Sequence, residues 1–124
     1  MNVGSTAGFA PGPRQAVYFA TKAFVNSYTQ ALSHELSKRG VTCTALAPGD
    51  VKTEFAEVAG LEGTQLVASG GRSAASVAKF GYDAMKAGKL IVINEAGLSV
   101  LMNWIAPLLP RRMMLNMMDK MQQK

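Results

Sequence analysis

The stretch Tyr18-Phe19-Ala20-Thr21-Lys22 places a phenol and an ammonium group four residues apart. On a helix, residues at this spacing share one face, so the two groups would be neighbours. A free tyrosine has a pKa near 10 and is a poor proton donor at neutral pH. A cation about 4 Å away, at an effective dielectric of about 20, contributes roughly 4 kcal/mol, or about three pKa units. With Ser5 upstream to hold a substrate oxygen, the pattern predicts a general acid/base pair.

A second phenol and ammonium with the same spacing, Tyr82 and Lys86, follow Ser69 along the chain. In that copy the helical pattern stops almost directly after the lysine, and the serine lies in a glycine-rich loop. In the first copy the helical pattern continues to Gly40, and Ser5 ends a short apolar stretch. Because a catalytic set needs elements that hold it in place, we predict that the first copy is the catalytic one.

Apolar stretches alternate with helical patterns along residues 1–97, which predicts an α/β fold. Strands are expected at residues 1–5, 41–47 and 89–94, and helices at residues 15–38 and 73–87. The middle strand carries no charge, as is typical of a parallel strand covered on both faces. Strand, helix and strand in this order form right-handed crossover units of one parallel sheet. The first helix carries a stripe that we expect to be buried: Ala20, Ala23/Phe24, Ser27/Tyr28, Ala31, Leu32 and Leu36.

The segment of residues 50–72 shows no regular pattern and is rich in glycine and other small residues. A connection of this length after a parallel strand is either a lid over a site or a disordered segment. Directly beyond it, Ser73 is a favourable N-cap for the helix that follows.

The tail, residues 98–124, contains two prolines, the tryptophan and six of the eight methionines. Five of these methionines follow helical spacing beside Arg111 and Arg112, which predicts an amphipathic helix. Its apolar run is too short to span a bilayer. Two interpretations stay open: the helix packs on its own domain or a partner subunit, or it lies in the plane of a membrane surface.

Composition narrows the class of protein. A chain of 124 residues and 13.2 kDa has room for one domain, and a hydrophobic content of 48% suffices for a core. The net charge of +5 is scattered, without the basic stripe that nucleic-acid binding needs. One cysteine and one histidine allow neither an intrachain disulfide nor a zinc site, which suits a cytoplasmic protein without a metal.

Three motifs together resemble the short-chain dehydrogenase/reductase family. They are Asn2-Val3-Gly4-Ser5-Thr6-Ala7-Gly8, Tyr18-Phe19-Ala20-Thr21-Lys22-Ala23 and Pro48-Gly49-Asp50-Val51-Lys52-Thr53, in the family's order and at fitting intervals. The resemblance implies a doubly wound, Rossmann-like parallel sheet that binds NAD or NADP, and an alcohol/ketone interconversion by hydride transfer. Only the last three strands of such a sheet, with flanking helices, would be present here, followed by a C-terminal helical tail.

The same resemblance implies a role for each motif residue. Tyr18 would exchange a proton with the substrate oxygen, Ser5 would hold that oxygen, and Lys22 would ease the proton transfer and bond the nicotinamide ribose. Residues 54–73 would cover the substrate, and the helix over residues 15–39 would form the interface of a homo-oligomer. The cofactor would also contact Pro48, Gly49, Val51 and Thr53.

Three parts of the family pattern are missing. They are the glycine-rich first turn that holds the pyrophosphate at a helix N-terminus, the acidic or basic residue that selects between NAD and NADP, and the asparagine that usually completes the proton relay. Gly4, Gly8 and Gly12 follow a strand but precede the wrong helix. We therefore expect residues 1–97 to be the C-terminal portion of such an enzyme, truncated at its N-terminus and inactive alone, with its first strand unpaired at one edge. The alternative is a non-catalytic remnant that acts as an interaction or membrane-associated module. Steroids, acyl chains and sugar-derived alcohols all stay open as substrates.

Overall fold

Short parallel strands alternate with helices along the backbone, so the predicted α/β class is confirmed. The computed structural model describes residues 1–123, and Lys124, the last residue of the predicted tail, lies outside the described residues. The strands are β1 (Asn2–Val3), β2 (Ala45–Leu46), β3 (Val51–Lys52), β4 (Arg72–Ser73) and β5 (Ile91–Val92). The helices are α1 (Ala16–Ser37), α2 (Phe55–Val58), α3 (Ala74–Lys86), α4 (Ala96–Val100) and α5 (Arg111–Met121).

The main sheet has three parallel strands in the order β1-β2-β5. Asn2 lies opposite Ala45, and Ala45 lies opposite Ile91. The strands are shorter than predicted, but backbone hydrogen bonds extend the β1–β2 pairing to Thr6, whose N–H donates to the Pro48 carbonyl at 3.0 Å. Because β2 is central and covered on both faces, its residues are buried. The sheet therefore aligns the carboxyl ends of all three predicted strands.

Helix α1 packs against β1 with a face other than the predicted one. Its buried residues are Phe19, Asn26 and Thr29. The amide of Asn2 donates to the Thr29 hydroxyl at 3.0 Å, so this face is held partly by polar groups. A hydrophobicity pattern does not register such a face, and the predicted stripe is wrong in its main members. The exposed ones are Ala20, Phe24, Ser27, Tyr28 and Ala31.

Helix α3 follows its prediction closely. The Ser73 hydroxyl accepts a hydrogen bond from the Ser76 N–H at 3.2 Å, which satisfies one of the free amides of the first turn. The buried residues Val77, Gly81 and Ala84 recur at helical spacing. Two of them pack with residues of β2 and β5, so α3 covers one face of the sheet.

The segment of residues 50–72 is more regular than expected. Strand β3 pairs in parallel with β4, with Val51 opposite Arg72, and the short helix α2 lies between them. The turn beyond α2 is held by buried Leu61 and Thr64, and the Thr64 hydroxyl donates to the Leu61 carbonyl at 2.7 Å. These local contacts explain why the segment folds back on itself. The hydrophobic periodicity of the sequence does not predict them.

The tail is helical over most of its length. Helix α4 continues through a π-helical turn at Leu101–Ile105 and a 3₁₀ turn at Ala106–Leu108. Pro110 then interrupts the helix with an extended backbone, and α5 follows. Two methionines of α5 are buried with a residue of α1 and one of the 3₁₀ turn; this methionine cluster comprises Phe19, Ala106, Met114 and Met118. Among residues 1–123, no helix is both long enough and apolar enough to cross a membrane.

Candidate active site

The predicted phenol–ammonium pair is formed on α1. The Lys22 Nζ lies 5.7 Å from the centroid of the Tyr18 ring, which is within cation–π range. The same amine donates a hydrogen bond to the Val3 carbonyl at 3.2 Å. One of its three N–H groups thus anchors α1 to the end of β1, and two are left for other partners.

Ser5 is held at the end of β1 through both its backbone and its side chain. Its Oγ accepts a hydrogen bond from the Ala7 N–H at 3.1 Å and caps a 3₁₀ turn at Thr6–Phe9. Its carbonyl accepts from Asn26 Nδ2 at 3.0 Å. Since the hydroxyl acts as acceptor toward Ala7, its own hydrogen is available to donate to an oxygen of a substrate.

The glycines around Ser5 allow β1 and the 3₁₀ turn to approach α1 closely. A Cβ at Gly4 would collide with the Asn26 side chain, and one at Gly8 would lie 2.7 Å from the Lys22 carbonyl oxygen. A Cβ at Gly12 would collide with the ring of Phe19. These three glycines therefore serve strand–helix packing. Two of their amides are already bonded, since the Gly4 N–H donates to the Leu46 carbonyl at 2.8 Å and the Gly8 N–H to the Ser5 carbonyl at 3.0 Å.

The residues after β2 are bonded to both neighbouring strand ends. The Pro48 carbonyl accepts from the N–H and the hydroxyl of Thr6, at 3.0 and 3.3 Å. The Gly49 N–H donates to Asn94 Oδ1, just beyond β5, at 3.4 Å. The carboxyl ends of β1, β2 and β5 are thus joined at the edge of the sheet where α/β folds bind ligands.

Thr53 links the segment after β3 to the tyrosine. Its hydroxyl donates to the Val51 carbonyl at 3.4 Å and accepts from the Phe55 N–H at 3.3 Å. The Phe55 ring lies 5.4 Å from the Tyr18 ring, tilted by 37°. The Pro48–Thr53 motif and the Tyr18–Lys22 motif, far apart in sequence, therefore meet through this aromatic contact.

The second copy of the spacing is a control that the chain itself provides. Lys86 Nζ lies 5.6 Å from the Tyr82 ring centroid, nearly the same distance as in the first pair. Tyr82, however, is exposed on α3, and Ser69 lines a separate cavity of about 270 Å³ with Arg72 and Glu95. The spacing alone produces the pair geometry, whereas the bonded strand ends distinguish the first copy.

Four residues that position this site were not predicted as site residues from the sequence. Asn26 continues the four-residue spacing of Tyr18 and Lys22 along α1, and that row was a signal that could have been used. The other three act from separate elements, so no local pattern points to them. They are Thr6, Phe55 and Asn94.

The polar groups at this edge fit the nicotinamide end of a dinucleotide. The two remaining N–H groups of Lys22 suit ribose hydroxyls. The Thr53 hydroxyl, which donates its hydrogen to Val51, can accept from the N–H of a carboxamide. For the pyrophosphate end, the glycines that follow β1 are covered by α1. Within residues 1–123, no cluster of three or more His, Cys, Asp or Glu side chains could hold a metal ion.

Comparison with known proteins gives consistent matches over this region. Residues 1–62 match the family described as short chain dehydrogenase. An oxidoreductase of Staphylococcus epidermidis is 44% identical over 57 residues, which cover 46% of this chain and 25% of the relative. Sulfoacetaldehyde reductase 2 of Chromohalobacter salexigens is 42% identical over 80 residues, which cover 64% of this chain and 28% of the relative.

A solved structure shares the arrangement of elements. The short-chain dehydrogenase from Sphingobium yanoikuyae, in complex with NADPH, superimposes with a TM-score of 0.68 and 28% sequence identity. The superposition covers 80% of this chain and 38% of that one. The chain spans about a quarter of the length of the curated relatives that it matches.

Proposed function

This chain belongs to the short-chain dehydrogenase family, and we propose that it carries the proton-transfer half of an NAD- or NADP-dependent oxidoreductase that interconverts alcohols and ketones. The observation that supports this most is the Tyr18–Lys22 pair, bonded to the end of β1 and in contact with Phe55. A surface pair with the same spacing, on α3, has none of these contacts.

In the proposed reduction, Tyr18 donates its phenolic proton to the carbonyl oxygen of the substrate. Ser5, oriented by the bond from the Ala7 N–H, donates a hydrogen bond to the same oxygen. The Lys22 ammonium stabilises the phenolate that remains, because an opposite charge nearby favours the ionised form. Alcohol oxidation reverses each transfer. The dinucleotide, when bound, supplies or accepts the hydride.

We assign the nicotinamide end of the cofactor to the edge beyond β2. Lys22 would bond the ribose, and Thr53 would bond the carboxamide or a phosphate. The Pro48–Gly49 turn and the Val51 backbone would lie against the ring. The close bonding of these segments to Thr6 and Asn94 supports a preformed surface. This edge does not select between NAD and NADP.

We predict that the 124-residue chain alone binds neither NADH nor NADPH saturably and has no turnover. The reason is that the glycines after β1 pack against α1 and leave no open helix N-terminus for a pyrophosphate. In this proposal residues 1–97 are the C-terminal portion of a dinucleotide-binding domain, and residues 98–124 are an appended tail. Titration of the purified chain, followed by cofactor fluorescence, tests the prediction. Saturable binding by the chain alone would show it to be wrong.

The proposed role of Tyr18 can be tested by complementation. The chain is mixed with a polypeptide that comprises the part of the Staphylococcus epidermidis relative outside the 57 matched residues, and NAD(P)H oxidation is measured with a panel of ketones. We expect Tyr18→Phe to lower turnover by at least about 100-fold, since general acid catalysis contributes roughly that much. Tyr82→Phe, which changes the matched pair on α3, should leave turnover unchanged. A folded mixed complex with equal turnover in both variants would overturn the assignment.

The family match favours the oxidoreductase over a non-catalytic interaction module. We also propose a homo-oligomer that forms through the helix at residues 15–39. Its support is the exposed face of α1, on which Val17, Phe24 and Tyr28 are uncovered by the described chain. A membrane contact of the tail is a separate proposal that does not depend on the oxidoreductase assignment.

A further inference from the structure

The tail has two apolar sides, and the described chain covers only one of them. On the covered side, Met114 and Met118 pack into the methionine cluster. On the other side lies a group of large apolar residues that we call the outer tail face. It comprises Val100, Trp104, Ile105 and Leu108, which are 54%, 73%, 47% and 84% exposed. Packing of the tail on its own domain therefore leaves about half or more of each of these side chains exposed.

The charge of this region has one sign. From residue 96 to residue 118 the sequence contains no Asp or Glu, but it contains Arg111 and Arg112. Both arginines are exposed, and neither makes an ion pair within the part of the chain that the structure describes. The next acidic residue, Asp119, is already bonded to Arg14. The outer tail face is thus followed in the sequence by two positive charges that no ion pair neutralises among residues 1–123.

The position of the two arginines makes a purely structural role unfavourable. They occupy the first turn of α5, where no acidic residue accompanies them. The helix macrodipole places partial positive charge at this end, so cations there destabilise the helix. Lys120, in the last turn, interacts favourably with the macrodipole, whereas the two arginines in the first turn do not. We therefore look outside the helix for a partner of the arginines.

We propose that the outer tail face, with Arg111 and Arg112, docks on an anionic lipid surface and lies in its plane. Apolar residues with basic neighbours are the chemistry that interfacial helices use, and tryptophan favours the boundary between lipid and water. A second copy of this chain fits the face less well. Two copies that met there would bring four arginines together, and residues 96–118 offer no carboxylate to offset them.

The full chain can be tested directly with lipid vesicles. Purified protein is mixed with vesicles of phosphatidylcholine, alone or with about 30% phosphatidylglycerol, and bound protein is separated by flotation. The chain has one tryptophan, so its emission reports on the outer tail face alone. We expect flotation with the anionic vesicles only, a blue shift of Trp104 emission, and loss of both at high salt.

Two matched pairs of variants identify the surface. Arg111→Gln with Arg112→Gln should weaken binding by about 25-fold, at about fivefold for each arginine near an anionic surface. Lys38→Gln with Arg39→Gln, an exposed basic pair at the end of α1, removes the same charge and should have little effect. Leu108→Ser should weaken binding, whereas Val58→Ser, at the same 84% exposure, should not.

Three results would overturn the proposal. The first is a folded chain that stays off anionic vesicles at low salt. The second is an equal loss of binding in the tail variants and their controls, which would indicate attraction by net charge alone. The third is a Trp104 blue shift that grows with protein concentration without lipid, which would assign the outer tail face to a second copy of the chain.

Discussion

At the scale of single residues, Asn26 connects helix α1 to the strand that carries Ser5. Its amide donates to the Ser5 carbonyl at 3.0 Å, and its side chain fills the space beside Gly4. It lies one helical turn beyond Lys22, so the row that presents the proposed proton-transfer pair also fixes the residue proposed to hold the substrate oxygen. In the proposed site Asn26 is thus a positioning residue rather than a catalytic one.

We predict that Asn26→Ala destabilises the fold by about 1 to 3 kcal/mol, because it leaves the buried Ser5 carbonyl without its donor. Urea denaturation followed by circular dichroism measures the change. Asn116→Ala, at an exposed position of α5, is the matched control and should change stability by less than about 0.5 kcal/mol. A loss no larger than that of the control would argue against the role of this hydrogen bond.

The residues of the candidate site could be predicted where a motif carried them, and not elsewhere. Tyr18, Lys22 and Ser5 were proposed because their spacing is local and the surrounding pattern separates them from the copy at Tyr82. Phe55 was not identified, since its contact with the tyrosine depends on how the segment after β3 folds. Local spacing determines which groups a helix presents, whereas the residues that surround them come from distant parts of the chain.

At the scale of elements, the close approach of β1 to α1 depends on the absence of a side chain at Gly4. We predict that Gly4→Ala costs about 1 to 3 kcal/mol, since its methyl group would collide with Asn26. Gly97→Ala, in α4, has nothing within 4 Å of the new methyl group and should stabilise the chain by up to about 1 kcal/mol. Urea midpoints of the two variants measure both effects, and a shift of the same sign in each would contradict the packing argument.

The attachment of α5 should weaken in acid. The Arg14 side chain, bonded to Asp119 at 2.8 Å, and then Gln123 lower the pKa of that carboxyl below its ordinary value of 3.8. A group with a depressed pKa in the folded state stabilises the fold above its unfolded value, and this contribution is lost as the pH falls through the folded pKa. The loss is therefore expected below pH 3.8.

The free energy of unfolding of the wild type should decrease between about pH 6 and pH 3. We predict that this decrease is smaller in Asp119→Asn. Urea midpoints at the two pH values, for the wild type and the variant, provide the measurement. Asp50→Asn, at a carboxylate without an ion pair among residues 1–123, is the control and should keep the wild-type fall. If both variants lost as much stability as the wild type on acidification, the bond between Arg14 and Asp119 would not contribute to the pH dependence.

The elements themselves could be located from the sequence, but their packing could not. The sequence placed three strands and two main helices within a few residues of their positions in the structure. The signals are local: apolar stretches alternate with helical spacing, and Ser73 is a favourable N-cap. The buried face of α1 was predicted wrongly, since Asn26 and Thr29 face the sheet while Phe24 and Tyr28 face outward. Apolar periodicity does not reveal a face held by side-chain hydrogen bonds. Nor did it reveal the β3–β4 pair, which joins residues on either side of an irregular stretch.

At the scale of the whole molecule, the outward face of α1 exposes three large apolar side chains. Phe24 is 66% exposed and stacks on Tyr28, with 5.6 Å between the ring centroids, and Val17 lies on the same side. Rigid aromatic side chains on a helix are favourable anchors for an interface. This face therefore supports self-association through α1.

We predict that Phe24→Asp converts an oligomer of the chain to monomers, because a buried, unpaired carboxylate is strongly unfavourable in an interface. Size-exclusion chromatography with light scattering measures the mass, and circular dichroism confirms that the fold is kept. Tyr82→Asp, at an exposed aromatic position of α3, should leave the mass unchanged. A wild-type chain that is monomeric at all concentrations would refute the interface.

The register of the sheet also has a consequence for folding kinetics. Asn2 pairs with Ala45, and Ala45 pairs with Ile91, so every rung of the main sheet closes a long loop of chain. The hydrogen bonds inside helices α1 and α3 join residues close in sequence, so these helices can form within microseconds. Parallel strands pair only after the slow closure of a long loop. In the newly synthesised chain the helices should therefore form before the sheet. During that interval the uncovered faces of α1 and the tail are open to aggregation, and its yield should depend on temperature and chaperones more than its native stability suggests.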